Sequence, residues 1–335
     1  MKKATLVVSK FYANNRIFDL SDTISNRDDC LYPFYFLKTK LAEYGYDLAT
    51  QDINHIENAD FILYNEMPRK LPAKHQIEKS FLILLESEFI RKDNWDLKRH
   101  GFFRRIFTWN DEFINTDKYI KICHPVKIPG EIDIAGEKSK LITMIARNKS
   151  RRDPRELYSE RVRSIRWFEQ NHPDDFDLFG VGWNKRDFTS PWSRLNRIDF
   201  LRTMFYKSFP SYRGAITSKY PVLREYCFCL CYENVRDIVG YISEKILDCF
   251  FAACVPVYWG APNVNDHIPP NTFISRTAFN THEDLYRYLK NMGEEEYKEY
   301  LMNIKDFVKG DKIYPFSSEY FAQTITQEIF SCLKQ

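Results

Sequence analysis

The stretch FCLCYENVRDIVGYISEKILDCFFAACVPVYWGAPNVNDHIPPNTFI, from Phe228 to Ile274, decides the fold. Cys227 to Tyr232 is an apolar, aromatic run of strand length, suited to a parallel sheet covered on both faces. It delivers Glu233 and Asn234 to the carboxyl edge of that sheet. Ser243-Glu244-Lys245 then opens a helix with apolar periodicity at Ile246, Phe250 and Cys254, and Val255 to Trp259 reads as the next strand, followed by a proline-rich loop and a last strand. A helix N-terminus offers unpaired N–H groups and the positive end of its dipole, so an anion there is stabilised. A lysine in that first turn opposes the dipole, which favours Lys245 as a phosphate ligand over a solvated surface lysine.

Working outward, 335 residues suffice for two domains with separate cores. The net charge of +3 comes from interspersed signs, which argues against a polyanion-binding surface and predicts no nucleic-acid partner. Aromatic residues make up 16% of the chain, a composition that serves a core and also suits sugar stacking. Met1-Lys2-Lys3 leads into the short apolar run Leu6 to Val8 and then polar sequence, so a soluble chain without signal peptide or membrane span is predicted. The eight cysteines contain no CxxC pair, and Cys227, Cys229 and Cys231 share one strand face. Buried free thiols in a reducing cytoplasm are the expectation, with no metal site.

Towards the N-terminus, strands are predicted at Thr5–Ser9, Phe61–Tyr64, Phe81–Leu85, Ile106–Trp109 and Tyr119–Cys123, with a helix at Tyr32–Tyr44. The proline, glycines and charges of Lys127 to Lys140 mark a boundary between residues 1–130 and 141–335. Beyond it come a strand at Leu141–Ala146, the basic loop RNKSRRDPR, a helix over Glu156–Gln170 and a strand at Phe176–Gly180. Helices are predicted at Glu283–Asn291, Glu294–Phe307 and Ser317–Leu333. Trp183 to Tyr212 is aromatic and basic without periodicity, and its elements are left unassigned. Asp175-Phe-Asp177, an Asp-x-Asp, reads as structural because it opens a strand. Walker, GxGxxG, HExxH and GxSxG motifs do not occur.

YEN, GYISEKI, VPVYWGAPN and HIPPNTFI, in that order, resemble the signature of the α-1,3/4-fucosyltransferases, glycosyltransferase family 10. Val235 departs from the family serine after Asn234, and Ser243 replaces its threonine while keeping the hydroxyl. LLESE at Leu84–Glu88, followed by Ile106 to Asn110, resembles the family's acceptor-domain pattern. The helix after the basic loop resembles the segment bearing a phosphate-binding arginine, aligned with Arg161 and, as second choice, Arg155.

The resemblance implies an α/β, GT-B-like fold of two Rossmann-like domains facing a cleft, the N-terminal one for acceptor and the C-terminal one for GDP-fucose, with the last helix crossing back to the first domain. It implies inverting transfer of L-fucose from GDP-β-L-fucose to an oligosaccharide hydroxyl, O3 of N-acetylglucosamine, with Glu86 as general base. Arg161 and Lys245 would neutralise the diphosphate, Glu244 would bind the ribose, and Asn234, Tyr241 and Ser243 would line the donor site. Glu233 stays open between donor contact and buried structural carboxylate. No cofactor or metal is required on this reading, and no stimulation by Mn or Mg is predicted. Partners are the nucleotide sugar and the acceptor glycan, in the cytoplasm, with peripheral association at the inner membrane face compatible. A transferase using another GDP-sugar and a non-catalytic glycan- or nucleotide-sugar-binding module are the alternatives.

Overall fold

The computed structural model describes residues 1–334 except 115, 187, 189, 190 and 207, and except the side chain of 193. In chain order the strands are β1 (Lys2–Val7), β2 (Tyr46–Thr50), β3 (Phe61–Asn65), β4 (Ser80–Leu84), β5 (Arg105–Thr108), β6 (Tyr119–Lys121), β7 (Lys140–Ile145), β8 (Phe176–Phe179), β9 (Tyr212–Gly214), β10 (Tyr226–Tyr232), β11 (Val255–Trp259) and β12 (Ile274–Ser275). The helices are α1 (Tyr32–Glu43), α2 (Leu97–His100), α3 (Tyr158–Asn171), α4 (Asp199–Met204), α5 (Tyr220–Leu223), α6 (Glu244–Phe251), α7 (His282–Asn291), α8 (Glu294–Lys309) and α9 (Ser318–Leu333). Two units divide the chain: Met1–Ile128 with Val239–Tyr241 and Lys312–Gln335 form the first, Pro129–Ile238 with Ile242–Asp311 the second.

Unit 1 is a parallel sheet in the order β2-β1-β3-β4-β5-β6. Side chains alternate across it. Phe61, Leu63, Phe81 and Ile83 enter one core with Leu37 and Leu41 of α1, while Ile62, Tyr64, Leu82 and Leu84 enter a second core with Phe103. Burial on both faces is why β3 and β4 read as unbroken apolar runs. The first core is completed by α9, whose Phe321, Ala322, Ile325 and Ile329 are buried in it, with Phe321 edge-on to Phe34 at 5.8 Å. Ser317 caps α9 by accepting from Tyr320 N at 3.0 Å.

Unit 2 is a second parallel sheet, β12-β11-β10-β7-β8-β9. Its chain runs outward from β7 through β8 to β9, then returns to β10 on the other side of β7. The carboxyl ends of β7 and β10 therefore flank the point where strand order reverses, the usual ligand position in open parallel sheets. The two Rossmann-like α/β domains expected of the GT-B-like class are thus present.

Element types follow the sequence reading, with ends displaced by up to three residues at β1. Five elements lay outside it: β2, β9, α2, α4 and α5. β2 was not anticipated, because YDLAT is short, carries Asp47 and forms the sheet edge. In the unassigned stretch, a 3-10 turn at Trp192–Arg197 leads into the short helix α4. Asp175 and Asp177 are held separately. Asp175 bonds Lys290 and Tyr286, whereas Asp177 bonds Lys140, Arg213 and Tyr226.

Candidate functional site

Around the reversal point of unit 2, β10 ends at Tyr232 and hands over to Glu233, which is 0% exposed. One of its carboxylate oxygens accepts from the Ser243 backbone N–H at 2.8 Å and, at 2.9 Å, from the Ser243 hydroxyl. Lys245 Nζ donates to the other oxygen at 2.9 Å and to Ser243 Oγ at 2.7 Å. Ser243 stands at the N-cap of α6 but makes no capping bond with its side chain, its hydroxyl being turned to Glu233. The anion that offsets Lys245 at this helix end is therefore the protein's own carboxylate. Gly260, after β11, leaves room for it: a Cβ there would lie 2.6 Å from Glu233 Cγ.

Arg161 is 4% exposed on α3, and its Nη2 donates to the carbonyls of Tyr232 and Glu233 at 2.6 and 2.8 Å and to Asn234 Oδ1 at 3.2 Å. It fastens the start of α3 to the end of β10. Asn234 reinforces that junction, its carbonyl accepting from Leu157 N at 3.2 Å. Glu244 is half-buried and pairs with Lys219 at 3.3 Å, and Lys219 also binds Asp248. Burial alone would lower the Lys219 pKa, but the two carboxylates outweigh it and raise the value. Arg155 is half-exposed, its Nε 3.4 Å from Asp153, and its carbonyl accepts from Arg236 N at 2.9 Å. Glu233, Asn234, Ser243, Glu244, Lys245 and Arg161 are thus brought together. Tyr241 belongs to unit 1, its ring 4.8 Å from Trp109. Sequence reasoning missed Lys219, for which no motif exists.

Unit 1 holds a second titratable cluster. Glu86 follows β4 and is half-buried, and its carbonyl accepts from Trp95 Nε1 at 3.1 Å. The carboxyl that burial raises here is that of Glu66, the residue after β3. Burial first, and then the charge of Glu86, push Glu66 up to about 7 against the hydrogen bonds it accepts. Those bonds come from the Leu85 and Glu86 N–H groups at 3.0 Å each and from Asn94 Nδ2. Glu66 also adopts φ 69°, a left-handed conformation that a non-glycine residue holds at a cost. The same signal that singled out Glu86, an acid ending an apolar strand, was present in FILYNE.

Residues 182–321 match the C-terminal domain of glycosyltransferase family 10 (fucosyltransferase). Through that stretch the chain is similar to family 10. Over 75 residues it is 35% identical to the alpha-(1,3)-fucosyltransferase of Helicobacter pylori, covering 22% of this chain and 16% of that protein. Over 80 residues it is 34% identical to an Arabidopsis thaliana alpha-(1,4)-fucosyltransferase, covering 23% and 20%. A third relative, GDP-fucose protein O-fucosyltransferase 3 of Danio rerio, is 33% identical over 128 residues, covering 34% and 27%. These matches span about a quarter or less of each relative. The fold likeness is broader. An alpha1,3-fucosyltransferase crystallised with GDP superposes on this chain with TM-score 0.58 at 15% identity, covering 98% of this chain and 91% of that one. An alpha-glucosyltransferase crystallised with UDP-glucose and abasic-site DNA superposes with TM-score 0.56 at 9% identity, over the full length of both chains.

Proposed function

We infer that this chain is an inverting fucosyltransferase that takes L-fucose from GDP-β-L-fucose. The observation that carries the reading is the cluster Arg161, Glu233, Asn234, Ser243, Glu244 and Lys245 at the strand-order reversal of unit 2, within or beside the family 10 match. Lys245 and the α6 N-terminus face the same place, so the diphosphate would meet both the ammonium and the helix N–H groups. Arg161 holds that edge in shape and adds positive charge, Arg155 being the alternative for the phosphate-binding arginine. Glu244 would take the ribose hydroxyls, while Asn234, Ser243 and Tyr241 would complete the lining.

In the reaction, Glu86 accepts the proton of an acceptor hydroxyl as its oxygen attacks the anomeric carbon. The carbon–oxygen bond to the β-phosphate breaks, and GDP departs with the electron pair, stabilised by the unit 2 cations. No metal is needed in this scheme. The acceptor is an oligosaccharide hydroxyl, O3 of N-acetylglucosamine. A second acceptor class is favoured by the matches to GDP-fucose protein O-fucosyltransferase 3 of Gallus gallus and Danio rerio, namely a serine or threonine hydroxyl of a polypeptide. Free thiols at Cys229, Cys231, Cys249 and Cys254 accord with a reducing, cytoplasmic setting.

Incubation with GDP- and UDP-sugars plus glycan and peptide acceptors, followed by mass spectrometry, tests the reading. A mass gain of one deoxyhexose from GDP-fucose supports it, and turnover with UDP-sugars only overturns it. GDP binding without transfer to any acceptor would favour the binding-module alternative.

A further inference from the structure

We propose that unit 2 docks, through the segment between Trp183 and Tyr212, on a lipid bilayer that carries anionic phosphate headgroups. Two observations converge on this face. The first is apolar exposure. Trp192 is 64% and Phe200 72% exposed, and Ile198, Met204 and Phe205 are exposed beside them in the chain. Other exposed large apolar side chains are scattered along the sequence. The described residues of this segment are hydrogen-bonded to one another. Asn196 exchanges two hydrogen bonds with the Phe188 backbone at 2.8 and 2.9 Å, and the Arg186 N–H donates to the Arg202 carbonyl at 2.8 Å. Its apolar side chains are thus presented to solvent by ordered backbone.

The second observation is charge. The whole chain is close to neutral, which argued against any polyanion-binding surface, yet residues 183–212 contain six Lys or Arg against two Asp. Arg194 and Arg197 lie exposed among the apolar residues. Next to them a cavity of about 550 Å³ is lined by Lys149, Arg163, Arg166, Lys185 and Arg186 together with Phe205, and no acidic residue is among its described lining. Arg163, Arg166 and Lys185 also pair with Glu160, Glu169 and Asp199. Those pairs hold cations in the lining of this space.

The combination selects the partner. Anionic headgroups attract juxtaposed Arg and Lys, tryptophan favours the interface, and Phe, Ile and Met gain by entering the acyl boundary. Among the described residues no helix is long and apolar enough to cross a membrane, so the attachment is peripheral. Docking here does not depend on the transfer reaction inferred above.

The test is co-sedimentation of the full chain with vesicles of phosphatidylcholine alone or with added phosphatidylglycerol. Binding is expected to the anionic vesicles only and to weaken as salt rises. Trp192→Ala with Phe200→Ala, both at exposed positions, should weaken binding about tenfold or more. Arg194→Glu with Arg197→Glu should abolish it, and both double variants should melt as the parent does. Equal binding to neutral vesicles, no binding to anionic vesicles, or indifference to both double variants overturns the proposal. So does displacement from vesicles by GDP or glycerol phosphate, which would assign the cavity to a soluble phosphate ligand instead.

Discussion

Glu233 accepts hydrogen bonds from Ser243 and Lys245 while fully enclosed, and Lys245 is the cation that the structure sets against it. Removing one member of such a buried pair costs about 3–5 kcal/mol. Lys245→Ala should therefore lower the melting temperature as well as weaken GDP binding. Adding Glu233→Gln should recover most of the stability and none of the affinity; recovery of both would mean that Lys245 only balances Glu233. In unit 1, Glu86→Gln should reduce kcat by about 10²-fold or more with GDP binding unchanged. A wild-type rate would remove Glu86 from the mechanism. Glu66 sets a pH dependence of its own. Its carboxyl is raised from 4.5 to about 7 on folding, so the folded state binds more protons between those values. Its contribution is present in full below pH 4.5 and is lost as pH rises to 7, a change of roughly 3 kcal/mol. Thermal melts across that range should slope downward for the parent and less so for Glu66→Gln. Equal slopes would place the titration elsewhere.

Among the elements, strands with two buried faces were legible from sequence, as were the edge strands β6 and β12, whereas the edge strands β2 and β9 were not. VPVYW was read with the bounds it has in β11, because its residues are buried and its flanks are Cys254 and Gly260. β2 escaped because edge strands need no continuous apolar run. The segment 183–212 escaped because Trp192, Ile198, Phe200, Met204 and Phe205 are exposed, which breaks any apolar periodicity towards a core. Of the site, Glu233, Asn234, Ser243, Glu244 and Lys245 were named within one contiguous stretch, and Arg161 through the resemblance of its helix. Lys219 and Glu66 become neighbours only through parallel strand pairing and helix placement. Gly260 illustrates the same dependence, since only the fold reveals that its missing Cβ makes space for Glu233 and for Tyr258 Oη, 2.3 Å from the built Cβ. Gly260→Ala should cost about 1–3 kcal/mol and weaken GDP binding by displacing Glu233. Denaturant melts and nucleotide titration measure both, and an unchanged affinity would detach Glu233 from the donor site.

At the scale of the molecule, unit 1 is assembled from the first 128 residues, three residues at Val239–Tyr241 and the segment Lys312–Gln335. Gly240 is tied into it so closely that a Cβ would meet the Trp109 carbonyl at 2.3 Å. α9 buries Phe321, Ile325 and Ile329 against α1 and the sheet. Each such side chain contributes about 1.5–3 kcal/mol, and a whole domain is stable by only about 5–15 kcal/mol. A chain ending at Asp311 should therefore lose the fold of unit 1 while keeping that of unit 2. Limited proteolysis should cut within residues 1–128 and spare 129–311; protection of both would show that α9 is dispensable.

The split of unit 1 also has a consequence in time. A ribosome adds about 5–20 residues per second. After Ile128 emerges, the segment 129–311 must be made before α9 can arrive, a delay of about 10–40 s. Through that interval Phe34, Leu37 and Leu41 of the nascent chain await their covering helix. The first unit begun is thus the last to be closed, and its sheet, complete but not yet covered by α9, is the natural client of a chaperone.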